Sequence, residues 1–267
     1  MWWLAGCGAW VTGQDTSPPD NPLLLGPAVD LAGYQVLDAR SDEAFAAGHL
    51  PGAVSAPWEK LTIYSEDGLW DEAERDAAAD WLAASGLEAG GPYLVYGDAL
   101  ADYGGDGFVY WVLRHLGHEA QVLDGGFPAW VAAGGDAVGG GSGLPAGDFA
   151  ALELPEPPVL ATTDEVAASD DQLLDVRTAE EYAAGHVPGA ANLDYVDALG
   201  PDGRFRDTET LRQLLTDAGL DEGPTITYCR SGIRAGHGFL LLELVGWPAR
   251  DYLGSWEAWE ASGGPVE

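Results

Sequence analysis

Cys229 is followed directly by Arg230 and, four positions later, by Arg234, in the segment Tyr-Cys-Arg-Ser-Gly-Ile-Arg-Ala-Gly, residues 228–236. The run ahead of it, Thr225-Ile226-Thr227-Tyr228, has the length and residue types of a buried strand. Beyond Gly232, residues 233–246 predict a helix whose Phe239, Leu240, Leu241, Leu244 and Val245 face a sheet. A thiol at such a strand-to-helix turn meets the unpaired N–H groups of the first helical turn, which favour an anion. A helix dipole contributes only about 0.3–1 kcal/mol to a nearby charge. The guanidiniums of Arg230 and Arg234 are the further source of stabilisation for a sulfur anion. The chain has one lysine, Lys60, and ten arginines, so a pair of arginines around one cysteine stands out. The alternative is a buried cysteine acting as a small hydrophobe.

The elements that must position this loop occur twice. Residues 35–53, Gln-Val-Leu-Asp-Ala-Arg through Gly-His-Leu-Pro-Gly-Ala, recur at 172–190 with Asp38/Asp175, Arg40/Arg177 and His49/His186 all offset by 137. Residues 91–99 match 223–231, and 123–135 match 252–264, in the same order. The chain is therefore a tandem duplication. Residues 1–21 form an N-terminal segment and tether, 22–136 a first domain, 137–158 a Gly- and Pro-rich linker, and 159–267 a second domain. Short apolar strands alternate with helical patterns at 71–86 and 208–220, which predicts an α/β fold with a mostly parallel sheet flanked by helices in each domain. Ligands of such sheets sit beyond the carboxyl ends of the strands, where Cys229 falls. At the matching place in the first copy stands Gly97, which offers no nucleophile.

Composition narrows the partners. A formal charge of −33, with 44 acidic and 11 basic side chains, argues against nucleic acid or an anionic membrane surface and for solubility in a salty environment. Two cysteines do not make a disulfide framework. The start of the chain, Leu4-Ala5-Gly6-Cys7, resembles a bacterial lipobox in which Cys7 would carry lipid. The tether after it suits an anchor, although six residues are fewer than the roughly 7–15 apolar residues of a signal core. The expectation is a lipid-anchored protein of the bacterial envelope, and a cytoplasmic one otherwise. No segment approaches the roughly 18 apolar residues of a membrane span.

The motifs Leu-Leu-Asp-Val-Arg, Ala-Ala-Gly-His-Val-Pro-Gly-Ala, Tyr-Cys-Arg-Ser-Gly-Ile-Arg-Ala and Tyr-Leu-Gly-Ser-Trp-Glu-Ala-Trp, with their first-copy counterparts, resemble the tandem-domain rhodaneses, the thiosulfate and 3-mercaptopyruvate sulfurtransferases. The resemblance covers the chain after the tether. It implies that Cys229 takes the outer sulfur of a small anionic donor as a persulfide. Arg230, Ser231, Gly232, Ile233 and Arg234 would cradle that sulfur before a thiol, cyanide or a protein accepts it. It assigns Arg177 to substrate binding and a silent, cleft-forming role to the first domain, where Asp98 and Tyr103 are candidates to line the cleft. A relay proposed for mercaptopyruvate enzymes, which combines the loop serine with a histidine and an aspartate of the first domain, would make Ser231 and His49 its members here, although the His49/His186 repetition argues for two structural histidines. Asp38 and Asp175 are expected to orient neighbouring groups, His237 to pack or to tune the site, and the tryptophans to fill the core. No metal or organic cofactor is implied.

Phosphatases on the same fold separate cysteine and arginine by five residues, whereas four separate Cys229 from Arg234. The smaller loop suits sulfur over a phosphoryl group. Arg230-Ser231 is a hybrid of the thiosulfate and mercaptopyruvate patterns, and Arg234 stands where the tandem group usually has threonine. Added positive charge ranks thiosulfate first and mercaptopyruvate second. A non-catalytic, partner-binding tandem protein and a phosphatase or arsenate reductase are the alternatives.

Overall fold

The computed structural model describes residues 20–62 and 70–267. Cys7 and most of the tether lie outside the described residues. The first sheet contains β1 (Leu24–Leu25), β2 (Gln35–Asp38), β3 (Val54–Ser55), β4 (Tyr93–Tyr96) and β5 (Ala120–Leu123) in the order β1-β5-β4-β2-β3. The second contains β6 (Gln172–Asp175), β7 (Ala191–Asn192), β8 (Thr225–Tyr228) and β9 (Ala249–Asp251) in the order β7-β6-β8-β9. Every pairing is parallel. Helices cross between successive parallel strands and cover both faces, which is why β4 and β8 are buried along their whole length.

In chain order the helices are α1 (Asp42–Ala47), α2 (Trp58–Leu61), α3 (Glu72–Ala84), α4 (Gly105–His115), α5 (Gly126–Ala132), α6 (Thr163–Ala168), α7 (Ala179–Ala184), α8 (Thr208–Asp217), α9 (Ile233–Val245) and α10 (Ser255–Ser262). The two helical patterns at 71–86 and 208–220 fall on α3 and α8. Helix α7 begins with a capping box in which the Thr178 side chain accepts from Glu181 N–H and the Glu181 carboxylate accepts from Thr178 N–H.

The stretch at 137–158 runs strapped to the first domain. Gly147 N–H donates to Ala83 O at 2.8 Å and Leu152 N–H to Leu116 O at 2.8 Å. Phe149 is buried against Tyr93 and His118. Backbone groups make these bonds whatever side chains they carry, so a composition that suits a flexible tether does not disclose them.

The domains meet through α4 and α9, the helices that follow the silent and the thiol-bearing loops. Apolar side chains around the whole of α9 are buried, because one flank meets its own sheet and another meets α4. The single sheet-facing stripe expected for it is too narrow. Tyr110 OH donates to Glu243 across this contact at 2.5 Å. Arg204 Nε and the Phe205 N–H both donate to Asp124, each at 2.8 Å.

His237 lies in the same interface, edge-on to Phe205 and Tyr195. Neither ring nitrogen has a hydrogen-bond partner. Burial therefore pushes its pKa down to about 4. Its neutral form contributes fully above the unfolded-state value of about 6.5, and that contribution is lost as pH falls towards 4. Burial acts with the opposite sign on Asp106, raised to about 6, which destabilises as pH rises through the same window. The two dependences offset each other in the wild type. His237→Leu removes one of them, so its stability relative to wild type should rise by about 2 kcal/mol between pH 7 and pH 5. Urea unfolding of both proteins at each pH measures this, and a constant difference would contradict it.

Candidate active site

Strand β8 ends at Tyr228 and delivers Cys229 to the bottom of a cleft between the domains. The thiol is buried, and the Gly232 N–H donates to Sγ at 3.2 Å. Gly232 precedes α9 with φ +98°, and a Cβ there would lie 2.8 Å from Leu253 O. Both the left-handed backbone and the close approach call for glycine. The first helical bond of α9 runs from Gly236 N–H to Gly232 O. In the turn before it, the Gly232 N–H is the amide directed at the sulfur, where it favours negative charge.

Helix α10 braces the loop from behind. Cys229 N–H donates to Ser255 Oγ at 3.0 Å, and Ser255 Oγ donates to Tyr252 O at 2.9 Å. The Trp256 and Glu257 N–H groups donate to Cys229 O and Arg230 O. These bonds turn the loop carbonyls away from the cleft. Ser255 is buried with φ +53°, a strained conformation for a residue with a Cβ. It lies 3.9 Å from Sγ. Nothing in the residue pattern distinguishes it from an ordinary helix-start serine.

The cleft has a volume of about 620 Å³. Its second-domain wall includes Cys229, Arg230, Ser231, Ile233 and Arg234, with Glu181 from α7. Trp58, Thr62 and Tyr103 supply the first-domain wall. Tyr103 is thus placed where the silent domain was expected to contribute. Asp98 instead lines a separate cavity of about 300 Å³ with Asp202 and Arg204. The silent loop has closed on itself: a Cβ at Gly97 would lie 2.9 Å from the Asp106 side chain.

Two expected site residues lie elsewhere. Arg177 is buried, paired with Asp175 at 2.6 Å and bonded to Gly185 O at 2.8 Å, with its guanidinium over Tyr228 and Trp256. Arg40 does the same in the first domain with Asp38, Gly48 O, Tyr96 and Phe127. An arrangement present in the domain without a thiol holds the turn after α7. It occupies Nε and Nη2 of Arg177. His49 is also buried, stacked on Phe45 with Nδ1 2.9 Å from Phe45 O. His186 repeats this on Tyr182, so His49 secures a turn and does not reach the cleft.

The charge at the loop is also more balanced than two arginines imply. Arg230 pairs with Glu257 at 2.9 Å at the surface. Arg234 grips Glu181 through both terminal nitrogens, at 2.7 and 2.8 Å.

A buried thiol that accepts the Gly232 N–H, beside a duplicated unit with glycine in its place, marks the second domain of this two-domain chain as the one that carries a nucleophile. A family model described as "Rhodanese-like domain" matches residues 27–133 and 162–262. The chain belongs to the rhodanese family and is a sulfurtransferase. It is 31% identical over 252 residues to the thiosulfate sulfurtransferase of Corynebacterium glutamicum, covering 85% of this chain and 82% of that protein. The structure of the 3-mercaptopyruvate sulfurtransferase from Leishmania major superposes with a TM-score of 0.73 at 25% identity, covering 91% of this chain and 76% of that one. The anaerobic ergothioneine biosynthesis enzyme from Chlorobium limicola shares the fold at a TM-score of 0.75 and 21% identity, over 90% of this chain and 66% of its own.

Proposed function

We propose that this chain carries a sulfane sulfur from thiosulfate to a thiophilic acceptor as a persulfide on Cys229. The observation that carries the reading is the Gly232 N–H directed at Sγ on the floor of the cleft. Cys229 is the one free cysteine among the described residues. In the first step the Cys229 thiolate attacks the outer sulfur of thiosulfate. A sulfur–sulfur bond forms to Sγ, the bond inside thiosulfate breaks, and sulfite leaves with that electron pair. In the second step a thiolate or cyanide attacks the outer persulfide sulfur and returns Cys229 as thiolate. The helix-start amides stabilise the negative charge that stays on the terminal sulfur between the steps.

Thiosulfate ranks ahead of 3-mercaptopyruvate because relatives similar over most of the chain are named for it. The charge of Arg230 and Arg234 does not support that order, since both guanidiniums meet carboxylates. The test measures sulfite release from thiosulfate and pyruvate release from mercaptopyruvate, with cyanide as acceptor, alongside the intact mass of Cys229-containing peptides. One added sulfur and turnover of either donor support the reading. Absence of both moves a partner-binding role forward, and hydrolysis of an aryl phosphate would move a phosphatase forward.

The lipobox-like Leu4-Ala5-Gly6-Cys7 supports a lipid anchor at Cys7 in a bacterial envelope. Among the described residues no helix is long and apolar enough to cross a membrane. Cys7→Ser should shift the protein from the membrane pellet to the supernatant of fractionated cells. An unchanged distribution would remove the anchor.

A further inference from the structure

The ion pair between Glu181 and Arg234 separates the two halves of the duplication. Asp175, Arg177 and His186 have identical counterparts in the silent domain, at Asp38, Arg40 and His49. Glu181 and Arg234 do not: Ala44 stands in place of Glu181, and the first turn of α4, from Gly105 to Phe108, carries no arginine where the first turn of α9 carries Arg234. Both members of the pair occur only in the copy that has the thiol, and both line its cleft.

The geometry is that of a clamp. Arg234 Nη1 and Nη2 donate to the two Glu181 oxygens at 2.7 and 2.8 Å. Planar paired bonds of this kind fix a guanidinium in orientation as well as position. Glu181 is itself held by the Thr178 N–H of its capping box. The Arg234 side chain is 14% exposed and that of Glu181 29%, so the pair is more shielded than the surface contact of Arg230 and Glu257, at 66% and 53%. Arg234 holds the Glu181 carboxyl down at about 2, which keeps it ionised at neutral pH.

We propose that Glu181 is a positioning and specificity-determining residue of the sulfur-transfer site, fixing the Arg234 guanidinium beside Cys229 and offsetting its charge so that the cleft does not strongly favour doubly charged donors. Rigid Arg234 shapes the wall, while Arg230 is held to Glu257 in the more exposed of the two pairs. The inference rests on the persulfide reading of Cys229.

Glu181→Gln isolates the charge, because glutamine preserves the capping box and one bond to Arg234. Loss of one negative charge acts on a donor in proportion to the donor's own charge. The KM for thiosulfate, a dianion, should fall about tenfold, and that for mercaptopyruvate, with half the charge, about threefold. Salt should erode the difference, and Glu181→Asp should restore the wild-type ratio. Arg234→Gln makes the opposite change, and there both KM values should rise in the same two-to-one logarithmic proportion. Equal shifts for the two donors, or none, in these variants would overturn the proposal and leave Glu181 as a structural brace. A wild type that acquires no sulfur on Cys229 from either donor overturns the persulfide reading itself, and the proposal with it. Mass measurement of the wild type distinguishes the two failures.

Discussion

Replacing Cys229 by serine should reduce sulfite release from thiosulfate by at least about 10³-fold while leaving the unfolding transition nearly in place. The size of the effect follows from the chemistry of the atom exchanged. A serine hydroxyl stays protonated at neutral pH, attacks divalent sulfur poorly and cannot hold the transferred atom as a persulfide. The small effect on stability follows from the surroundings. Sγ accepts one bond, from the Gly232 N–H, which a serine oxygen can also accept. The loop is held by bonds to the Cys229 backbone from Ser255 and Trp256, and these survive the substitution. Turnover assays with both donors, paired with urea denaturation, measure the two halves of the expectation. Substantial turnover by the variant would require another nucleophile, and among the described residues no second free cysteine exists to supply one.

The duplication makes much of this site legible in the residues themselves. A cysteine present in one copy and replaced by Gly97 in the other distinguishes the two domains from residue types alone, and the loop at Gly97 packs so closely on Asp106 that a Cβ there would lie 2.9 Å from its side chain. The same comparison, extended to every site residue, gives Arg177 a structural role beside the substrate-binding one that the resemblance implies. Its twin Arg40 occupies an identical network in a domain with no thiol, as His49 and His186 do for each other. Glu181 is the converse case, since Ala44 in its place marks it as a feature of the catalytic copy. What the duplication does not disclose is geometry between distant segments. The left-handed backbone at Ser255, the strapping of residues 137–158 and the burial of α9 on its α4 side arise from tertiary contacts. Local residue patterns report periodicity and turn chemistry but do not name the partner.

That last contact supports the largest stability effect expected outside the site. Gly236→Ala should lower the unfolding free energy by about 2–3 kcal/mol even though alanine is the better helix former by about 1 kcal/mol. A Cβ at Gly236 would sit 2.5 Å from Phe108 Cα and 2.9 Å from Phe108 N. These are backbone atoms of α4, so no side-chain rotation relieves the overlap and the two helices must separate. Gly107 faces the same crossing from the other side, where a Cβ would lie 2.4 Å from His237 Cα. Once one alanine has pushed the helices apart, the second meets less resistance. Gly107→Ala combined with Gly236→Ala should therefore cost less than the sum of the two single changes. Gly141→Ala, where a Cβ meets nothing within 4 Å, serves as the control and should be close to neutral. Separation should also reach the chemistry, because α9 begins at the loop that holds Cys229 and α4 begins just after Tyr103. Each glycine variant should then lose turnover at temperatures where it remains folded. Strict additivity of the two substitutions in denaturation experiments would show that each is accommodated on its own helix and that the crossing does not set the distance between the domains.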